Sequence, residues 1–259
     1  MKKPFKTRKY KGGNKLKLCF IIACKVFKES KIYIDIVITN INLFYPDSTI
    51  ILVDNNSNYK EYFDQFKSMK NVIILENTSD SKFELGAYNF AISYIIDKKL
   101  KFNYYTLLQD VMIPIQKYDY TILKKNKIKA VSIYKFTSEH LGTHNYTDFL
   151  IKIKLHDPKL PFEGCFGCSF ICNHASLIQI HKWTKDYILT VKGHSETAER
   201  FLGRIIQYLN NNIDNHNIDG YHDNIKYSIN INTDNRIPHI DSVKKLGYYF
   251  MKISQGRPS

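Results

Sequence analysis

The chain has 259 residues, 44% of them hydrophobic and 14% aromatic, which is enough to bury a full core as one large domain or two small ones and marks a globular protein. Its formal charge of +14 points toward an acidic partner, yet residues 1–17 alone hold eight Lys or Arg and no acid, so most of the excess sits at one end and argues little for nucleic-acid binding. No stretch approaches the roughly 18 uninterrupted apolar residues of a membrane span.

Met1–Lys15, MKKPFKTRKYKGGNK, lacks the apolar run of a signal peptide or anchor and is expected to be a disordered basic tail, leaving 16–259 as the folded unit. Leu16–Ala23 is a nearly continuous apolar run, the pattern of a strand covered on both faces. Ser30–Tyr45 carries two periods at once: Ile32, Ile34, Ile36 and Ile38 alternate, while Ile34, Val37, Ile38, Ile41 and Tyr45 form a helical stripe. The neighbours select helix, because Thr49–Val53 is a second apolar run about thirty residues after the first, the spacing of a β-α-β crossover. That run stops at Asp54-Asn55-Asn56-Ser57. Tyr59–Met69 then reads as helix, Asn71–Leu75 as strand and Glu84–Ile96 as helix.

A fourth strand, Tyr105–Leu108, ends in the polar corner Gln109-Asp110, with Pro114 expected to stop further ladder pairing. Ligands of open α/β sheets lie beyond the carboxyl ends of the strands, so an acid at this corner faces the expected site. Beyond it, Lys129–Phe136 reads as a strand, Thr137–Asp148 as a polar loop, Gly164–Cys172 as a glycine-opened strand and His174–Trp183 as a short helix. Ser195–Leu209 is a helix with Ser195 as its cap and an apolar stripe of Phe201, Leu202, Ile205, Ile206 and Leu209.

Five cysteines, Cys19, Cys24, Cys165, Cys168 and Cys172, make an odd set suited to a reducing, cytoplasmic compartment rather than a disulfide framework. Cys165-x-x-Cys168 followed by Cys172 and His174 crowds four metal-ligand types into ten residues, unlike the two separated clusters of a closed zinc site. Buried small side chains are the simpler reading.

The order of apolar strand, VDNNS, a Gly-Ala-x-Asn helix, a strand with an acidic corner, a glycine-bearing strand and a Glu-containing helix resembles GT-A fold glycosyltransferases, especially the inverting family 2 type, over Leu16–Leu209. The resemblance implies an α/β fold with a mostly parallel central sheet flanked by helices. It divides into a Rossmann-like nucleotide-sugar half, 16–115, and an acceptor half with a C-terminal closing segment, 116–259. It also implies donor-binding roles for Ala23, Asp54, Asn55, Asn89, Gln109 and Asp110, the nucleoside of a UDP- or GDP-linked sugar falling to Asp54. The family's corner is a DxD-type motif that binds a divalent metal. Here it is Gln109-Asp110-Val111-Met112, so Asp110 is the expected ligand for Mn2+ or Mg2+, and the need for metal stays open.

Sugar transfer leaves a diphosphate whose charge needs a cation, metal or side chain. Lys252 and Arg257, at the ends of KISQGR, are the side-chain candidates. The acceptor hydroxyl needs a base, and the resemblance places it at Glu199, with Glu196 one turn earlier as the alternative. Three functions follow: inverting transfer to a glycan or other hydroxyl, nucleic-acid binding through the tail and tyrosines, or nucleotide binding on a similar sheet without catalysis. Acceptor choice is expected from Thr137–Pro161 and Asn210–His239.

Overall fold

The computed structural model describes residues 15–27, 31–136, 146–159, 161–210, 228–229, 240–241, 244–245 and 247–253. The basic tail, Arg257, nearly all of the 137–148 loop and most of 210–239 lie outside the described residues. In chain order the elements begin with β1 (Leu18–Cys24), α1 (Lys31–Phe44), β2 (Thr49–Asp54), a 3-10 segment (Lys60–Phe66), β3 (Val72–Glu76), α2 (Phe83–Asp97), β4 (Tyr104–Gln109), β5 (Met112–Pro114) and α3 (Thr121–Lys125). They continue with β6 (Ala130–Ser132), β7 (Lys135–Phe136), α4 (Tyr146–Lys152), β8 (Gly164–Cys165), β9 (Phe170–Asn173), α5 (His174–Thr184), α6 (Lys192–Asn210), β10 (Ser228–Ile229) and β11 (Phe250–Ile253).

The fold is α/β, with a six-stranded sheet in the order β3-β2-β1-β4-β9-β6. Strands β3, β2, β1 and β4 are parallel, while β9 runs antiparallel to both β4 and β6. Residues on either side of 115 therefore share one sheet. Apolar runs such as LCFIIAC form its centre because both faces are covered. Phe20, Ile22, Ile50 and Leu52 pack under α1 and the 3-10 segment; Cys19, Ile21, Ile51 and Val53 pack under α2 and α6. Of the two periods in α1 the helical one wins, burying Tyr33, Ile34, Val37, Ile38 and Ile41 and leaving Ile32 exposed.

Four local expectations are corrected. Tyr59–Met69 is not an α-helix but a shorter 3-10 segment that buries Phe63 and Phe66, an i,i+3 pair that eclipses at three residues per turn. Pro114 does not end pairing, because it stands opposite Phe250 at a position that needs no N–H, and the next amide, Ile115, donates to Tyr249 O at 2.9 Å. Lys129–Phe136 is two strands, β6 in the main sheet and β7 paired with β8. Gly164–Cys172 is interrupted by a tight turn at 166–168, where Gly167 (φ 61°) and Cys168 (φ 50°) both take left-handed backbone.

Helix α6 also begins three residues before the expected start, so Ser195 is not its cap but lies one turn inside it, buried. Gly203 lets that helix press on β8: a Cβ there would come within 1.9 Å of the Glu163 carbonyl oxygen. All five cysteines are free and buried, and burial pushes the Cys165 thiol up to about 12. Among the described residues, no helix is long and apolar enough to cross a membrane.

Candidate active site

Parallel strands bring their carboxyl ends to one rim. Register pairs Cys24 with Asp54 and Ala23 with Gln109, so Asp54, Asn55, Gln109 and Asp110 all stand at that rim, on either side of β1 and two strand spacings, about 10 Å, apart. The loop after β1 is gripped from both flanks. Lys25 N–H donates to Asp110 Oδ2 at 2.9 Å, and Val26 N–H donates to Ser57 Oγ at 2.8 Å. Asp54, 4% exposed, accepts the Ser57 N–H on Oδ1 at 2.8 Å, an Asx-type turn in which the acid shapes its own loop. Ala23 is buried, and its carbonyl accepts the Asp110 N–H. Asn55 fastens the loop to its neighbours: its Nδ2 donates to Phe83 O, and its Oδ1 accepts from Asn77.

Strand alternation sends Gln109 to the face covered by α2 and α6, away from Asp54. There it meets a polar cluster. Gln109 Nε2 donates to Glu84 Oε1, and Glu84 Oε2 accepts from Ser195 Oγ at 3.1 Å. One turn beyond Ser195 on α6, Glu199 Oε1 accepts the Gly167 N–H at 2.7 Å. Gly167 in turn lies against Gln109, since a Cβ on it would come within 2.6 Å of Gln109 Oε1. Strand β11 delivers Lys252, whose Nζ stands 4.0 Å from the centre of the Phe166 ring.

The electrostatics of this cluster are those of charges withdrawn from water. Burial raises Glu199 to about 7; the Gly167 N–H and Lys252 oppose that rise, and Glu84 adds to it. Lys252 is lowered by its own burial, against the pull of Glu84 and Glu199. A carboxylate poised near neutrality is a competent proton acceptor.

Glu199, Gln109 and Lys252 are thus brought together on one side of the rim. Asn89 is not among them: its Oδ1 accepts from Thr184 Oγ1 and faces the His181 ring, and its Nδ2 donates to Thr184 O, so it joins α2 to α5. Glu196 lies on the same helix, where its backbone carbonyl accepts from Arg200 at 2.7 Å. Asp110 is fully buried, with one oxygen taken by the Lys25 amide, and among the described residues no group of three His, Cys, Asp or Glu could hold a metal ion. A Mg2+ carried on diphosphate oxygens would need only one or two protein carboxylates, of which Asp110 is the candidate, and no chemistry below passes through a metal. Sequence reasoning missed Glu84 and Gly167. An acid in the first turn of α2 reads as dipole compensation, and its partners lie 25 and 111 residues away along the chain.

No family model matches the chain, and no curated protein matches it by sequence. Among solved structures it is similar to residues 1–349 of TarS from S. aureus, with 12% identity and a TM-score of 0.43 over 73% of this chain and 56% of that one. It is also similar to the mannosyltransferase Ktr4p from S. cerevisiae, with 12% identity and a TM-score of 0.43 over 74% of this chain and 65% of that one. The GDP complex of Ktr4p gives 11% identity and a TM-score of 0.41, covering 75% and 66%. The chain spans about 56% to 66% of the length of these structures. Likeness at this level concerns the fold alone, and the functional reading rests on the site.

Proposed function

We propose that the protein is a GT-A-like glycosyltransferase that moves a sugar, with inversion, from a nucleotide-linked donor (UDP- or GDP-linked) to an acceptor hydroxyl. The observation that carries the reading is the half-buried Glu199 carboxylate, raised to about 7, set beside the β4 corner with Lys252 in electrostatic reach. Glu199 removes the proton of the acceptor hydroxyl on Oε2, the oxygen that Gly167 does not use. The acceptor oxygen then bonds the anomeric carbon from the face opposite the leaving group. The bond from that carbon to the phosphate oxygen breaks, its electron pair leaves with the nucleoside diphosphate, and the Lys252 ammonium offsets the charge that develops there.

Asp54 holds the nucleoside through Oδ2, since Oδ1 is committed to its own turn. The Lys25–Phe27 loop, fixed by Asp110 and Ser57, lies between the two and lines the path of the diphosphate. The acceptor is a glycan or another hydroxyl compound.

The test is release of nucleoside diphosphate from a panel of UDP- and GDP-sugars in the presence of hydroxyl acceptors. Glu199→Gln is expected to keep donor affinity and lose about 10²- to 10⁴-fold in turnover. A Glu199→Gln protein as fast as wild type removes the base assignment. Tight sugar-nucleotide binding without any turnover by wild type would instead mark a binding protein.

A further inference from the structure

Gln109 occupies the corner where an acid would serve a metal or a diphosphate, but its surroundings suit it to a different partner. Its amide is held in one orientation. The Glu84 carboxylate can only accept hydrogen bonds, so the NH2 end of Gln109 must face it, and Glu84 is itself held from α6 by Ser195 Oγ at 3.1 Å. The carbonyl end therefore points the other way, toward the 166–168 turn. There Gln109 Oε1 is buried and meets no hydrogen-bond donor among the described residues. A buried carbonyl without a donor is costly enough to be rare in folded proteins.

What satisfies such an atom must carry a proton to give. Diphosphate oxygens carry none at neutral pH, whereas sugar hydroxyls and acylamino N–H groups do. Gly167 lies against Oε1, close enough that a Cβ on it would come within 2.6 Å, and its N–H is held by Oε1 of Glu199, the proposed base. The turn carries its own strain, since Cys168 takes a left-handed backbone with φ of 50°.

We propose that Gln109 reads the transferred sugar, its Oε1 accepting a hydrogen bond from a hydroxyl or amide N–H of that sugar, and that Glu84 is the positioning residue that holds the amide in this orientation. This assignment rests on the glycosyltransferase reading and moves Gln109 from the diphosphate to the sugar.

The experiment is calorimetric titration of wild type, Gln109→Leu and Glu84→Gln with UDP, GDP, UDP-glucose, UDP-N-acetylglucosamine and GDP-mannose. For each sugar nucleotide that wild type binds, Gln109→Leu is expected to bind about ten- to a hundredfold more weakly, with the parent diphosphate within about twofold of wild type. Glu84→Gln is expected to weaken the sugar nucleotide in the same selective way without touching it, because an amide at position 84 can donate to Gln109 and release the flip. That second variant also decides the matter if Gln109→Leu does not fold. Equal losses on diphosphate and sugar nucleotide would return Gln109 to the diphosphate, and no loss on either would deny Oε1 a ligand; both overturn the proposal. If wild type binds none of the five, the glycosyltransferase reading falls and the proposal with it.

Discussion

Replacing Glu199 by Gln separates chemistry from stability in opposite directions. The native carboxyl is raised from 4.5 to about 7, so between those values the folded protein binds more protons here than the unfolded chain does. Stability contributed by this site therefore falls as pH climbs through that window and levels off above about 7. A difference of about 2.5 units corresponds to about 3 kcal/mol, the cost of keeping a charged carboxylate in this cluster at pH 8. Gln is neutral throughout and its carbonyl can still accept the Gly167 N–H. The variant is thus expected to be about as stable as wild type at pH 5 and more stable by up to about 3 kcal/mol at pH 8, while losing turnover. Urea denaturation of both proteins at pH 5, 6, 7 and 8 measures this. Parallel pH profiles, or a variant less stable than wild type at pH 8, would refute the electrostatic account of the site.

Lys252→Met removes the cation that holds Glu199 down, so the acidic limb of kcat/KM should move to higher pH, and turnover should fall by about 10²-fold as the leaving diphosphate loses its counter-charge. Asn89→Ala should cost about 2–3 kcal/mol in denaturant unfolding, because Thr184 and His181 lose their partner in the α2–α5 contact, yet leave nucleotide affinity unchanged in a titration. Gly203→Ala should cost about 2–3 kcal/mol or more by the same unfolding measurement, since its methyl would meet the Glu163 carbonyl and force α6, with Glu199 on it, away from β8.

The first half of the fold is legible in the sequence because β1, β2 and β4 are covered on both faces and β2 and β4 end at polar turns, so period and punctuation agree. The Ile-rich ambiguity over 30–45 yields to the same logic once the flanking strands demand a crossover. The second half hides for a physical reason: GCFGCSFIC is apolar enough to read as one strand, and only backbone geometry at Gly167 and Cys168 reveals the turn that interrupts it. Ser195 has the chemistry of a cap and stands near the start of a helix, but the helix begins at Lys192 and the hydroxyl serves Glu84 instead. Long-range pairings of this kind, Glu84 to Gln109 and Ser195, or Asn89 to α5, leave no periodic trace. Asn89 shows the converse, a residue placed by motif near the donor whose hydrogen bonds go to packing.

The account depends on the nucleotide lying at the carboxyl rim of the parallel strands. Backbone hydrogen exchange of wild type with and without UDP and GDP tests that directly, because slowed exchange marks covered amides. Protection concentrated at residues 24–27, 54–57 and 109–112 is the predicted result. Protection concentrated at the opposite end of the sheet, around 101–103, with those three segments unchanged, would contradict it.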